Sequence, residues 1–113
     1  MPKYLISFPA SAMALSAAEL AAAGEAARAV IREAKAAGAY VFGGGLNACV
    51  APVMVAADGT VTQATYPETR ELSGGFCVLD APSRDAAVRW AAKIAAACRC
   101  AQELREFGED AES

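Results

Sequence analysis

The sequence predicts an α+β domain. Two segments with helical periodicity, each opened by a capping serine, alternate with short β-branched and aromatic runs. Between the two halves an Asp-Gly pair joins two such runs, a strong hairpin signal. The chain has 113 residues, the size of one domain, so residues 1–113 are expected to form a single unit.

Lys3 to Phe8 (KYLISF) has the composition of a first strand. Pro9 to Leu15 reads as a loop. Ser16 and Glu19 form a capping-box pattern, in which serine and glutamate satisfy each other's backbone amides. From there to Ala37, apolar residues recur at Leu20, Ala23, Ala27, Val30, Ile31 and Ala34, which is helical spacing. Gly38 supplies the usual stop. Ala39 to Phe42 reads as a second strand, broken by Gly43-Gly44-Gly45. Ala51–Ala56 and Thr60–Tyr66 then pair about Ala57-Asp58-Gly59 as a hairpin, and Pro67 to Ser73 is a polar loop.

Phe76 to Asp80 is an apolar strand. Ser83 caps a second helix that runs to about Ala97, with Asp85 suited to its first turn. Ala87, Trp90, Ala91 and Ile94 form its apolar stripe. Residues 100–107 read as a last strand, with helical continuation as the rival, and 108–113 form an acidic tail.

The order is therefore β-α-β, a hairpin, then β-α-β. With the hairpin treated as an insertion, this is the β-α-β-β-α-β pattern of ferredoxin-like folds. The expected core is Leu5, Ile6, Phe8, Val30, Ile31, Val41, Phe42, Val53, Val55, Phe76, Val78, Leu79, Val88, Trp90, Ile94, Leu104 and Phe107. Helices on one side leave the other sheet face uncovered. Burying that face calls for a second copy, so a homodimer with sheets packed face to face, a dimeric α+β barrel, is expected.

Composition excludes several function classes. The net charge is −3 and no basic run occurs, which disfavours nucleic-acid and anionic-membrane surfaces. No stretch is long and apolar enough to span a membrane, and the N-terminus lacks a signal-peptide pattern, so the expected location is the cytoplasm. Cys49, Cys77, Cys98 and Cys100 contain no C-x-x-C pair, and the chain has no histidine. No metal and no cofactor are therefore expected. Cys77 reads as a small core hydrophobe. Arg99, between Cys98 and Cys100, is placed to depress a thiol pKa, against the ordinary reading of buried, inert cysteines.

Three stretches carry a family resemblance. They are Ile31–Gly38 leading into Val41-Phe42-Gly43-Gly44, then Tyr66-Pro67-Glu68-Thr69-Arg70-Glu71-Leu72-Ser73-Gly74-Gly75-Phe76, and Val78–Ser83 followed by Ala87, Trp90, Ala91, Ala92, Lys93 and Ile94. Glu103-Leu104-Arg105 provides a matching closing strand. Over about residues 3–107 the chain resembles the YCII-related domain family, and the second stretch is similar to its DGPF branch. The resemblance implies a dimeric ferredoxin-like domain with a cleft between sheet and partner. It also implies an uncharacterised function, with relatives that stand alone or are fused to extracytoplasmic-type sigma factors. Some members carry a His–Asp pair proposed as an active site. Here there is no histidine, Arg28 stands at or next to that position, and Gln63-Ala64-Thr65-Tyr66 replaces the branch signature.

The candidate ligand-binding residues are Arg28, Glu68, Arg70, Glu103 and Arg105. Glu103 and Arg105 are two apart and so share one face of a strand. They form either a charged pair in a cleft or a solvated edge pair worth about 0.5 kcal/mol. Arg28, Arg32 and Lys35 make a basic stripe on the first helix, with Glu25 able to partner Arg28; the alternatives are an anion site and a solvated face. Glu68, Arg70 and Glu71 either close over the cleft as a loop or decorate the surface. The three glycines precede a hairpin rather than a helix, so they lack the helix N-terminus that makes such loops bind phosphate, and a bulge or close backbone approach is the better reading. Without histidine, acid–base work would fall to Glu68, Glu71 and Glu103. The preferred expectation is a dimeric small-molecule-binding or accessory domain without catalytic residues. An enzyme acting on a small organic acid through carboxylate and arginine groups and a regulatory protein-interaction module are the alternatives. The expected partners are a second copy and a small molecule.

Overall fold

The computed structural model describes residues 1–113. Its elements are β1 (Lys3–Phe8), α1 (Ala17–Ala36), β2 (Tyr40–Gly45), β3 (Met54–Val55), β4 (Val61–Thr62), β5 (Gly75–Asp80), α2 (Arg84–Cys98) and β6 (Glu103–Glu106). Short 3-10 turns at Ala10–Ala12 and Pro67–Thr69 punctuate the loops. Four strands form one antiparallel sheet in the order β2-β5-β1-β6, while β3 and β4 pair separately. Both helices pack on one face of the large sheet. This is the α+β arrangement of a ferredoxin-like fold with a hairpin inserted between β2 and β5. No helix is long and apolar enough to cross a membrane.

The local signals act as the sequence predicts. Ser16 Oγ accepts from the Glu19 amide at 3.2 Å and Glu19 Oε1 accepts from the Ser16 amide at 3.1 Å, closing the capping box. Gly38, at φ +72°, turns the chain out of α1. Ser83 Oγ accepts from the Ala86 amide at the start of α2. In the β3–β4 hairpin, Gly59 at φ +89° donates to Ala56, and Asp58 accepts from the Thr60 amide. The final segment is strand: β6 pairs with β1 from Ser7↔Glu103 to Tyr4↔Glu106.

The glycine run does not end β2. The strand continues through Gly45, and the irregularity lies at Val41, between the Tyr40 and Phe42 partners. Gly43 is where the close approach occurs. A Cβ there would stand 2.8 Å from both the Phe76 carbonyl and the Tyr40 hydroxyl, so only glycine keeps the strand paired.

Side chains alternate across the sheet. Tyr4, Ile6, Cys77 and Leu79 point to the helices and are buried, Leu79 completely. They pack against Ala34, Ala91, Ile94, Cys98, Ala86 and Ala87. Alanine on the helix faces brings backbone close to the sheet, so burial comes from many small groups at about 0.8 kcal/mol per methylene. Val41, Phe42, Val53, Val55, Val88 and Phe107, expected in the core, are exposed. Val41 lies at the irregularity, Phe42 points to the open sheet face, Val53 and Val55 belong to the hairpin arm, and Phe107 follows the edge strand. Tyr4 takes a core position that the sequence reading did not assign.

Ion pairs knit the helices at their surface. Lys93 of α2 pairs with Glu33 of α1 and also sits 5.4 Å from the Trp90 ring centroid. Arg99 reaches Glu19 at 3.5 Å. Arg99 follows α2 in the left-handed conformation, at φ +59°, the one non-glycine residue with positive φ.

Two backbone substitutions should move stability in opposite directions. Arg99→Gly should raise it by about 0.5–1 kcal/mol, because glycine adopts that conformation without steric cost and the Glu19 contact is solvent-exposed. Gly74→Ala should lower it by at least about 2 kcal/mol, since Gly74 has φ +74° and a Cβ would collide with the Phe8 carbonyl and the Ala10 amide. Urea unfolding of the three proteins measures both.

Candidate functional site

The sheet separates two concavities. The first lies on its helix side, at the end where β1 and β2 finish and β5 begins. It has a volume of about 580 Å³, and twelve of its nineteen lining residues are hydrophobic. Ile6 and Cys77 form its sheet wall, Leu20, Ala23, Ala27 and Ile31 its α1 wall, and Ile94 and Cys98 its α2 wall. The 10–13 turn contributes Met13, and Gly44, Gly45, Gly74 and Gly75 leave bare backbone at the strand ends. A cavity of this size and apolar character falls within the usual range for small-molecule sites.

Arg28 is the only charged residue lining this cavity. Its Nε and Nη2 donate to Glu25 Oε2 at 3.2 and 3.1 Å, and Arg32 donates to Glu25 Oε1 at 3.2 Å. These two guanidinium groups, Arg32 first, hold the Glu25 carboxyl below its usual pKa. The predicted basic stripe is thus partly neutralised on its own helix. Lys35, its third member, lies 5.2 Å from the Tyr40 ring centroid.

Cys77 and Cys98 also line the cavity, and burial governs their chemistry. It pushes the Cys77 thiol up to about 11 and raises Cys98 as well, with Cys100 nearby adding to the rise. Cys100 is likewise raised by burial, opposed by its contact with Gln102. The expectation that Arg99 would depress a neighbouring thiol is corrected here: desolvation dominates, and Arg99 extends towards Glu19.

The second concavity, about 430 Å³, lies on the open sheet face. Ser7 and Leu5 of β1 stand beside Glu103 and Arg105 of β6, and the 66–73 loop adds Glu68 and Glu71. The sequence grouping of Glu68, Glu103 and Arg105 therefore corresponds to one place. Arg70 does not line it, and Arg28 belongs to the other side of the sheet. Arg105 donates to Glu103 at 3.0 Å, and both side chains are more than half exposed. In the single chain this is the solvated pair of the ordinary reading, which counts against acid–base use of Glu103.

The helix-side cavity as a unit escaped sequence reasoning. Its residues come from six separate segments, and its floor is made of glycines and alanines that resemble ordinary spacers. One signal was available: Gly24 sits in the middle of α1, where glycine costs about 1 kcal/mol relative to alanine. It lines the cavity, and the space a Cβ would occupy there is 3.6 Å from Arg28 Nη1.

Fold and site together define a small ferredoxin-like α+β domain with a ligand-sized apolar cavity and no histidine. The family model for the YCII-related domain matches residues 3–106, so the chain belongs to that family. No curated protein matches the sequence.

Burial of the thiols makes stability depend on pH. Cys77 has a folded-state pKa above its unfolded value of 9.0, so its contribution is complete below pH 9 and is lost as pH rises towards 11. The loss should reach roughly 2–3 kcal/mol. Urea unfolding at pH 8 and pH 10.5 should show the drop in the wild type and a clearly smaller one in Cys77→Ala, the remainder coming from the other groups raised by burial, Cys98, Cys100, Tyr4 and Tyr40.

Proposed function

We propose that this YCII-related chain is a dimeric small-molecule-binding or accessory domain that performs no acid–base chemistry. The observation that carries the reading is the helix-side cavity, whose lining holds one cation, two thiols raised by burial and no carboxylate. Such a lining can bind and desolvate a ligand, but it offers no base near neutral pH. Membership of the DGPF branch is supported by the Tyr66–Phe76 stretch. Its two glycines stand where a Cβ would press on the backbone or ring of Phe8.

Dimerisation through the open sheet face is supported by what that face carries. Phe42 is 68% exposed, and Leu5, Phe76 and Val78 lie beside it in the sheet register. A second copy packed there would also close over Glu68, Glu103 and Arg105. Four free cysteines, two of them in the core, suit a reducing compartment such as the cytoplasm.

Light scattering during size-exclusion chromatography should give twice the chain mass, and Phe42→Asp should give the monomer with an unchanged circular dichroism spectrum. A dimer that survives Phe42→Asp would exclude the open face as the interface. Small apolar compounds should raise the melting temperature of the wild type and not of Gly24→Leu, which fills the cavity mouth while improving helix propensity. Glu103→Gln should leave that response unchanged. Its loss in Glu103→Gln alone would move the site to the open face and revive the carboxylate–arginine enzyme reading.

A further inference from the structure

The helix-side cavity has an asymmetry that limits what can occupy it. Its body is aliphatic and aromatic, while its single charge is the guanidinium of Arg28. Two of the three guanidinium nitrogens are committed to Glu25, but Nη1 makes no hydrogen bond within the protein. Nη1 is also the nitrogen nearest the space left by Gly24, itself a lining residue. A residue unfavourable in a helix interior thus stands where a Cβ would be in ordinary contact with that nitrogen and a longer side chain would extend beside it. Gln102, the only lining residue with an amide side chain, already donates its Nε2 to the Cys100 carbonyl.

Resting on the binding reading above and narrowing it, we infer that this cavity takes a small apolar carboxylate. Its carboxylate meets Arg28 Nη1 at the mouth, and its hydrocarbon body lies against Ile6, Met13, Ile31 and Ile94. A neutral apolar molecule would fill the same volume but leave the Nη1 donors to water. An amine would place like charge beside the guanidinium. Glu25 holds Arg28 through Nε and Nη2 and leaves Nη1 uncommitted.

The test is calorimetric titration with octanoate, 1-octanol and octylammonium, each below its micellar concentration, on the wild type, Arg28→Gln and Gly24→Leu. Arg28 has an exposed side chain, and leucine is a better helix former than glycine, so both variants should keep the wild-type circular dichroism spectrum. The expected result is octanoate binding about tenfold tighter than 1-octanol, with octylammonium weakest. Arg28→Gln should abolish that preference while leaving the 1-octanol affinity unchanged, and Gly24→Leu should weaken both probes. Equal affinities for octanoate and 1-octanol, or a preference that persists in Arg28→Gln, would overturn the carboxylate assignment and leave the cavity as a binding site. Failure of every probe to bind the wild type, or binding indifferent to Gly24→Leu, would overturn the cavity reading together with it.

Discussion

Strand β1 is hydrogen-bonded along both edges, to β5 over its whole length and to β6 over Tyr4–Ser7. On its helix side it buries Tyr4 and Ile6 almost completely. Both helices meet at this strip of sheet, and both concavities are defined by it, one beneath Ile6 and one above Ser7. Because the strand is only one residue thick, adjacent residues serve opposite sites. The pleat therefore decides which of the candidate groups can ever act together.

That constraint explains why the chemistry is sparse in the apolar helix-side cavity. Glu103 and Arg105 of β6 project with Leu5 and Ser7, away from the helices, and remain in water, while Glu106, opposite Tyr4, is exposed at the strand's end. The helix side receives alanine, cysteine and branched aliphatic groups, along with a single arginine carried by α1. Burying a second, unpaired charge there would cost far more than the fold could recover. The buried cysteines fit the same logic, because a neutral thiol is a small apolar group.

Much of the architecture was legible in sequence because its signals are local. The Ser16–Glu19 box, Gly38, Ser83 and the Asp58-Gly59 turn each act within a few residues, and the elements they bound appear where expected. Misassignments arose where neighbours distant in sequence decide. Whether Phe42 faces core or open sheet depends on the irregularity at Val41, and the glycine run stays in β2 because Phe76 lies across from it. Glu68, Glu103 and Arg105 could be grouped because a family-like motif and a strand parity marked them. Arg28 could not be separated from them, since only the packing of α1 reveals which side of the sheet it serves. The cavity was illegible for the same reason: its walls are residues whose individual message is merely that they are small.

The junction at Gly45 and Gly75 has a consequence for how the domain can vary. These residues are register partners, and the Leu46 amide donates to the Gly74 carbonyl at 2.8 Å. The segment between them, hairpin included, therefore leaves and rejoins the sheet at one point, as a single long loop on the β2–β5 ribbon. The entropy of closing such a loop grows only logarithmically, by about 0.6 kcal/mol for each doubling of its length. The arm can accordingly be shortened, extended or exchanged at little thermodynamic cost to the four-stranded body, provided the two-glycine pivot is kept. Diversity among related chains can concentrate in that appendage while the sheet and its helices stay the same.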